Sequence, residues 1–198
     1  MRATADSVHI WRADLTRIGD RPEQLLSRAE AARAAQIVPA RKRAMWARSR
    51  GVLRALLGRY LERDPRELRF VLGPHGKPAV LSEGPTRPDT DLDLRFNLSH
   101  SGGLALIAVS AGREVGVDVE RARERYTAEF LHAWVAHEAA VKCRGTGLSA
   151  GLEAHPPSAQ TELWTAELDV GPDNHAAVAV EDGPCELHSR DWSGAWSA

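Results

Sequence analysis

LRFNLSHSGGLALIAVSAGREVGVDVE (94–120) decides the fold class, because apolar and polar residues alternate there in short runs separated by glycine-marked turns. LRFNLSHS (94–101) and LALIAVSAG (104–112) read as strand, turn, strand, and REVGVDVE (113–120) adds another strand. The period then changes. ARERYTAEFLHAWVAHEAAVKC (122–143) reads mainly as helix, with Phe130, Leu131, Trp134, Val135 and Val141 supplying apolar contacts, and RGTGL (144–148) is a glycine-marked stop.

Upstream, VHIWRADL (8–15) alternates as a strand with Val8, Ile10 and Ala13 inward. Residues 23–36 are rich in helix formers, and Pro39 opens a second helix running to about Leu61. Its apolar residues recur at helical spacing from Met45 and Trp46 to Tyr60 and Leu61. Arg41, Arg43, Arg48, Arg50, Arg54 and Arg59 supply most of its polar surface, and Gly51 weakens it mildly. LRFVL (68–72) is a short strand ending in the turn GPHGKP, and SEGPTRPDTD (82–91) is a surface loop. Downstream of a Pro-containing link at 155–158, TELWTAELDV, HAAVAVED and PCELHSRDW read as three antiparallel strands. The pattern is α+β. Each half offers strands with one or two long helices, which permits two pseudo-duplicated halves, 1–105 and 106–198, although no sequence repeat proves a duplication.

With 43% hydrophobic residues, the 198-residue chain can bury a core without disulfide or metal staples. Two cysteines are too few for a disulfide framework or a thiolate zinc cluster, which favours a reducing, cytoplasmic setting. No apolar run approaches the length of a membrane span, and the N-terminus lacks the apolar stretch of a secretion signal, so no membrane association is expected. The net charge of -1 hides an asymmetry: residues 1–80 carry 17 Lys and Arg against 8 Asp and Glu, and residues 81–198 carry 9 against 19. A basic wall facing an acidic one makes a cleft for an anionic ligand and a metal; varied solvated surfaces are the plainer reading.

Asp118 and Glu120 in GVDVE project from one strand face, with Val117 and Val119 on the other. Such a pair suits a hard divalent cation, although a solvated edge strand is the plainer reading. Glu138 and Lys142 lie one helical turn apart, as a surface ion pair would. His100, between Ser99 and Ser101, is either a phosphate contact or a satisfied structural histidine. Lys77, between Gly76 and Pro78, is either an anion contact or a solvated lysine.

FVLGPHGKP (70–78), FNLSHS (96–101), GVDVE (116–120), WVAHEAAVK (134–142) and GTGL (145–148) together resemble, in order and character, the 4'-phosphopantetheinyl transferases of the monomeric, two-half type. The resemblance runs from VHIWRADL to the C-terminal strands. It implies two similar halves with a ligand cleft between them: a basic coenzyme A-binding wall in 1–105, and the metal carboxylates and catalytic helix in 106–198. It further implies Mg²⁺-dependent transfer of 4'-phosphopantetheine from coenzyme A to a serine of an apo acyl or peptidyl carrier protein of polyketide or nonribosomal peptide synthesis, with 3',5'-adenosine bisphosphate leaving. By position, Asp118 and Glu120 resemble the metal pair, and Glu138 the third carboxylate, which also helps activate the acceptor serine. Lys142 resembles the lysine beside the scissile pyrophosphate. His100, Lys77 and Ser99 fall at coenzyme contacts, and Arg41, Lys42 and Arg43, with Arg48 and Arg50 nearby, resemble the patch that holds the adenosine end.

Three departures stand out. Only thirteen residues (121–133) separate the GVDVE carboxylates from the helical motif, where the family inserts a longer segment with another helix near the carrier surface. His137 and Ala140 stand where the family has a lysine and an aromatic residue. The basic helix also fits more than one register, in one of which Met45 takes the place of an arginine contact. The short connector predicts weak saturation by carrier proteins with near-normal coenzyme A binding. Because two close carboxylates repel, loss of Asp118 is expected to leave stability level or raise it. The alternative function is a weak or inactive relative that binds coenzyme A or a carrier protein. A nucleic-acid binder using the arginine-rich helix is disfavoured, because the acidic second half would oppose a polyanion.

Overall fold

The computed structural model describes residues 3–4, 6–19, 21–73, 75–81, 93–146 and 162–194. The expected loop at 82–91, the last residues of the helix stop (147–148) and the link at 155–158 lie outside the described residues. In chain order the elements are β1 (Ser7–Asp14), a 3-10 turn (Arg21–Leu25), α1 (Arg28–Ala35), α2 (Ala40–Leu61), β2 (Phe70–Leu72), β3 (Pro78–Val80), β4 (Leu94–Ser101) and β5 (Leu104–Ala111). They continue with β6 (Val115–Arg121), α3 (Ala128–Arg144), β7 (Leu163–Glu167), β8 (Asn174–Glu181) and β9 (Glu186–Asp191). The α+β class is as expected. Residue 105, the expected boundary, falls in β5.

Apolar residues on both faces of β1 and β5 make those strands the centre of the protein. Trp11, Ala13, Ala105, Ile107 and Val109 pack against Val52, Leu53, Leu56 and Leu57 of α2. Val8, Ile10, Leu106 and Ala108 face Val115, Val117, Val119, Ala176, Val178 and Val180 of a second sheet. The first sheet has the order β4-β5-β1-β9 and the second β6-β8-β7, with β2-β3 a separate hairpin. On the far side of the second sheet, Val135, Ala139 and Cys143 of α3 pack on Ala177 and Ala179. The layers therefore run α2, sheet, sheet, α3.

Four expectations change on this architecture. The helical stretch at 23–36 divides, because Ser27 and Glu30 form a capping box that starts α1 at Arg28. Residues 122–127 are not helical; the Thr127 hydroxyl caps α3 by accepting from the Phe130 N–H. β9 does not continue the antiparallel set but pairs in parallel with β1 in the other sheet, fastened where Arg12 grips Asp191 at 2.8 and 3.0 Å. Arg54 is not polar surface: it is 2% exposed, bonded to Glu30 at 2.6 Å and to the Pro65 and Leu68 carbonyls at 2.7 and 3.0 Å. A buried guanidinium needs that full set of acceptors, because an unpaired charge in the core is prohibitive. Among the described residues no helix is long and apolar enough to cross a membrane.

The edges of the two large sheets, β4 and β6, meet through side chains. Asn97, Ser99 and Ser101, alternate residues of β4, point at β6: the Val117 N–H donates to Asn97 Oδ1 at 3.0 Å, and the Arg121 N–H to Ser101 Oγ at 3.2 Å. Ser99 Oγ–H donates to Asp118 Oδ1 at 2.8 Å, and Ser101 Oγ–H to Glu120 Oε2 at 3.0 Å. Polar side chains thus satisfy edges that would otherwise be open to pairing.

Candidate active site

The site follows from how closely α3 lies on β6. Val115, Val117 and Val119 enter the core between the sheets, so Gly116, Asp118 and Glu120 face α3. A Cβ at Gly116 would stand 2.1 Å from the Ala139 carbonyl oxygen and 2.4 Å from the Cys143 nitrogen. Only glycine admits the helix at that distance, with Ala177 and Ala179 keeping the neighbouring strand low. The close approach lays Glu138 and Lys142 over the carboxylates.

Lys142 Nζ donates to Asp118 Oδ1 at 2.5 Å and to Ser99 Oγ at 3.2 Å. Asp118 and Glu138 are 4% and 5% exposed, and Asp118 Oδ2 and Glu138 Oε1 are buried without a hydrogen-bond partner. Burial holds the Glu138 carboxyl above the ordinary glutamate range; nearby Asp118 and Glu120 push the same way, and Lys142 and His137 oppose them. Glu138 therefore feels both strand carboxylates. Two orphaned, buried carboxylate oxygens fit a hard cation, whose charge would offset their desolvation. Among the described residues no group of three or more His, Cys, Asp or Glu side chains is placed to hold a metal ion. An ion held by the two orphaned oxygens of Asp118 and Glu138 would keep several waters, as Mg²⁺ habitually does.

Ser99 joins the carboxylates to a cleft of about 360 Å³ lined by Trp46, Ser49, Arg50, Pro78, Ser99 and His100. Burial, and secondarily the charge of Lys142, lowers the His100 pKa, so its ring is neutral at pH 7 in the free protein. Of the α2 residues expected here, Arg50 lines the cleft. It also pairs with Glu30 at 2.9 Å and lies 4.8 Å from the Phe70 ring centroid. Arg48 reaches the Leu15 carbonyl instead. Arg41, Lys42 and Arg43 are exposed on the first turn of α2. Lys42 and Arg43 precede Trp46 by four and three residues, on the same flank of the helix.

Lys77 stands apart and is not solvated. Its ammonium donates to Glu114 Oε2 at 2.5 Å and to the Cys143 and Val115 carbonyls at 2.8 and 3.1 Å, tying the β2–β3 hairpin to the C-terminal end of α3. Trp46, Ser49 and Ser101 were not singled out in the sequence. The signal for Ser101 was the alternation Asn97, Ser99, Ser101 along one strand face, and for Ser49 its i+3 spacing from Trp46.

A buried histidine, His9, lies away from the site. The Trp11 indole N–H donates to the Tyr60 oxygen at 2.9 Å, so the Tyr60 hydroxyl donates to His9 Nδ1 at 2.5 Å. Burial pushes the Tyr60 phenol up to about 12, and burial, then Arg190 and His188, lowers the His9 pKa. A histidine whose folded pKa is depressed leaves stability complete above its unfolded value and loses it as pH falls below about 6.5. Urea unfolding between pH 7 and 5.5 is expected to show that loss, up to about 1.4 kcal/mol per pH unit for each of His9 and His100. The His9→Asn/His100→Asn chain isolates their share, because raised carboxyls such as Glu138 act oppositely and titrate in both chains. Equal pH slopes in the two chains would refute the assignment.

No family model matches the chain. Among curated proteins, it is 30% identical over 216 residues to the 4'-phosphopantetheinyl transferase HetI of Nostoc sp., covering 89% of this chain and 87% of that protein. It is 29% identical over 203 residues to a putative 4'-phosphopantetheinyl transferase of Synechocystis sp., covering 87% and 80%. The 4'-phosphopantetheinyl transferase Sfp of Bacillus subtilis is 25% identical over 127 residues, covering 52% and 53%.

Proposed function

This chain belongs to the 4'-phosphopantetheinyl transferase family, a family of enzymes, and from that premise we propose that it moves 4'-phosphopantetheine from coenzyme A to a serine of an apo acyl or peptidyl carrier protein. In that reaction the serine oxygen bonds to the β-phosphorus, the pyrophosphate bridge breaks, and 3',5'-adenosine bisphosphate leaves with the bridging electron pair. Residues 1–105 supply the coenzyme wall, which lines the cleft, and 106–198 the carboxylates and α3, which Ser99 joins to it. The working form is a cytoplasmic monomer.

The observation that carries this reading is the meeting of Asp118, Ser99 and Lys142 between a cleft and two orphaned carboxylate oxygens. Asp118, Glu120 and Glu138 would hold Mg²⁺, which when bound neutralises charge on the phosphoryl oxygens. Glu138, kept basic by burial, takes the serine proton. Lys142 steadies the negative charge that builds on the leaving oxygen. His100 and Ser99 meet a coenzyme phosphate, Arg41, Lys42 and Arg43 the adenosine end, and Lys77 anchors the hairpin beside them.

The test is the intact mass of apo carrier proteins after incubation with the chain, coenzyme A and Mg²⁺. A mass gain equal to one phosphopantetheine, lost on chelation, is expected; no gain with any carrier would overturn the reading. A second reading, a relative that binds coenzyme A or a carrier without transfer, is favoured because no three His, Cys, Asp or Glu side chains among the described residues are placed to hold a metal ion. It predicts thermal stabilisation by coenzyme A with no mass gain.

A further inference from the structure

Lys142 stands in the last turn of α3, where the backbone carbonyls have no partner within the helix. Two of them are satisfied here by other means. Gly145, at φ 65°, turns back so that its N–H donates to the Lys142 carbonyl at 3.3 Å. The next carbonyl, that of Cys143, accepts from the Lys77 ammonium at 2.8 Å. A cation at that end also complements the helix dipole. The Lys77 stem lies against the same cap, with its Cδ 3.4 Å from where a Cβ on Gly145 would stand.

An ammonium has three hydrogens. Those of Lys77 have three acceptors: Glu114 Oε2 at 2.5 Å, the Cys143 carbonyl, and the Val115 carbonyl at 3.1 Å. Glu114 is held in turn by Arg95, whose Nη1 donates to its Oε1 at 2.6 Å. Pro78, the residue after Lys77, lines the cleft, and so does Ser99. Two parts of the cleft wall therefore end on consecutive residues of α3. The hairpin reaches Cys143 through Lys77, and β4 reaches Lys142 through Ser99 at 3.2 Å.

We propose that Lys77 is a positioning residue for Lys142: by capping the end of α3 from the hairpin, it keeps the Lys142 ammonium on Asp118 and Ser99 beside the cleft. The proposal rests on the transfer reading above and gives Lys77 a role through Lys142 in place of a contact with the coenzyme. All three of its hydrogens are spent within the protein, so it has none to offer a phosphate. A lysine stem is long and flexible, and where its ammonium rests depends on the backbone that carries it. A helix end without partners frays, and the turn that would fray here is the one bearing Lys142. The tie at Cys143 fixes that turn one residue away.

The experiment is a double-mutant cycle of Lys77→Met and Lys142→Ala, read by transfer rate, by calorimetry with coenzyme A and by amide hydrogen exchange. Lys77→Met keeps the stem over Gly145 and leaves Glu114 paired with Arg95. It is expected to lower kcat about tenfold or more, with coenzyme A affinity within about twofold. In the Lys142→Ala chain, which has no ammonium to place, the same change should cost no more than about twofold. Exchange at Cys143, Arg144 and Gly145 should quicken at least about tenfold, and more than at Val135 and Ala139. Coenzyme A affinity about tenfold weaker with kcat held would overturn the proposal and make Lys77 a coenzyme contact. Rate losses that multiply in the double variant, or faster exchange only at Val135 and Ala139, would also overturn it, leaving Lys77 a support of the fold alone. If Lys77→Met does not fold, Lys77→Gln, which retains an N–H donor, carries the same measurements. Failure of both to fold would overturn the proposal as well. No transfer by the unmodified chain would instead bring down the transfer reading, and the exchange rates would still decide whether Lys77 holds the helix end.

Discussion

Asp118→Asn is expected to lower the transfer rate by roughly two to three orders of magnitude with little change in coenzyme A affinity. The amide keeps the shape and still accepts from Ser99 and Lys142, but it removes the charge beside the orphaned Oδ2 where a cation would be held. Single-turnover rates over a range of Mg²⁺ concentration measure the loss, and an unchanged rate at low Mg²⁺ would remove Asp118 from the site. Asp118→Ala separates chemistry from stability. Read from the sequence, loss of one of two neighbouring carboxylates relieves repulsion and leaves stability level or higher. The structure reverses that expectation, because Lys142, not Glu120, is the nearest charge to Asp118. Truncation leaves the Lys142 ammonium, 29% exposed, without its hydrogen-bonded carboxylate, so Asp118→Ala should destabilise by about 1–3 kcal/mol in urea unfolding.

The second large effect belongs to Gly116. Its missing Cβ is the space that the backbone of α3 occupies at Ala139 and Cys143, and backbone atoms cannot rotate aside as a side chain can. Gly116→Ala should cost about 3 kcal/mol or more, at the upper end of overpacking, and Gly116→Val more still. Any folded fraction would hold α3 off β6, and a shift near 1 Å at Glu138 and Lys142 is expected to lose about a hundredfold in rate. Denaturant midpoints and the rate per folded molecule measure the two losses. A Gly116→Ala chain with parental values of both would mean that the helix does not lie on the strand as described. Gly51 repeats the arrangement on α2, where a Cβ would stand 2.0 Å from the Pro22 carbonyl oxygen. The glycine read as a weakness of that helix is what lets the 3-10 turn pack on it.

Much of the candidate site was legible because its spacing is local. Asp118 and Glu120 share a strand face by the two-residue period, and Glu138 and Lys142 share a helix flank by the four-residue one, whatever the rest of the chain does. The order of strands and helices, and the change of period after residue 120, likewise follow from residues near one another in sequence. The alternation Asn97, Ser99, Ser101 was equally visible, but what those side chains touch was not, since their partners lie about twenty positions away on β6.

The sequence by itself determined the α+β class, the strand and helix order, the carboxylate pair and the helical Glu138–Lys142 pair, all set by backbone periodicity and side-chain polarity. Only the tertiary structure decided which charges are spent on the protein itself. Arg54 turned from surface into a buried partner of Glu30, and Lys77 from a free cation into the tie at the end of α3. It also decided that β9 crosses to lie beside β1, and that Leu131 rather than Phe130 faces inward. The reason is common to all four. A side chain's polarity and local period limit where it can point, but burial and pairing depend on which distant surface arrives against it, and that is settled by packing the two sheets and their helices as one body.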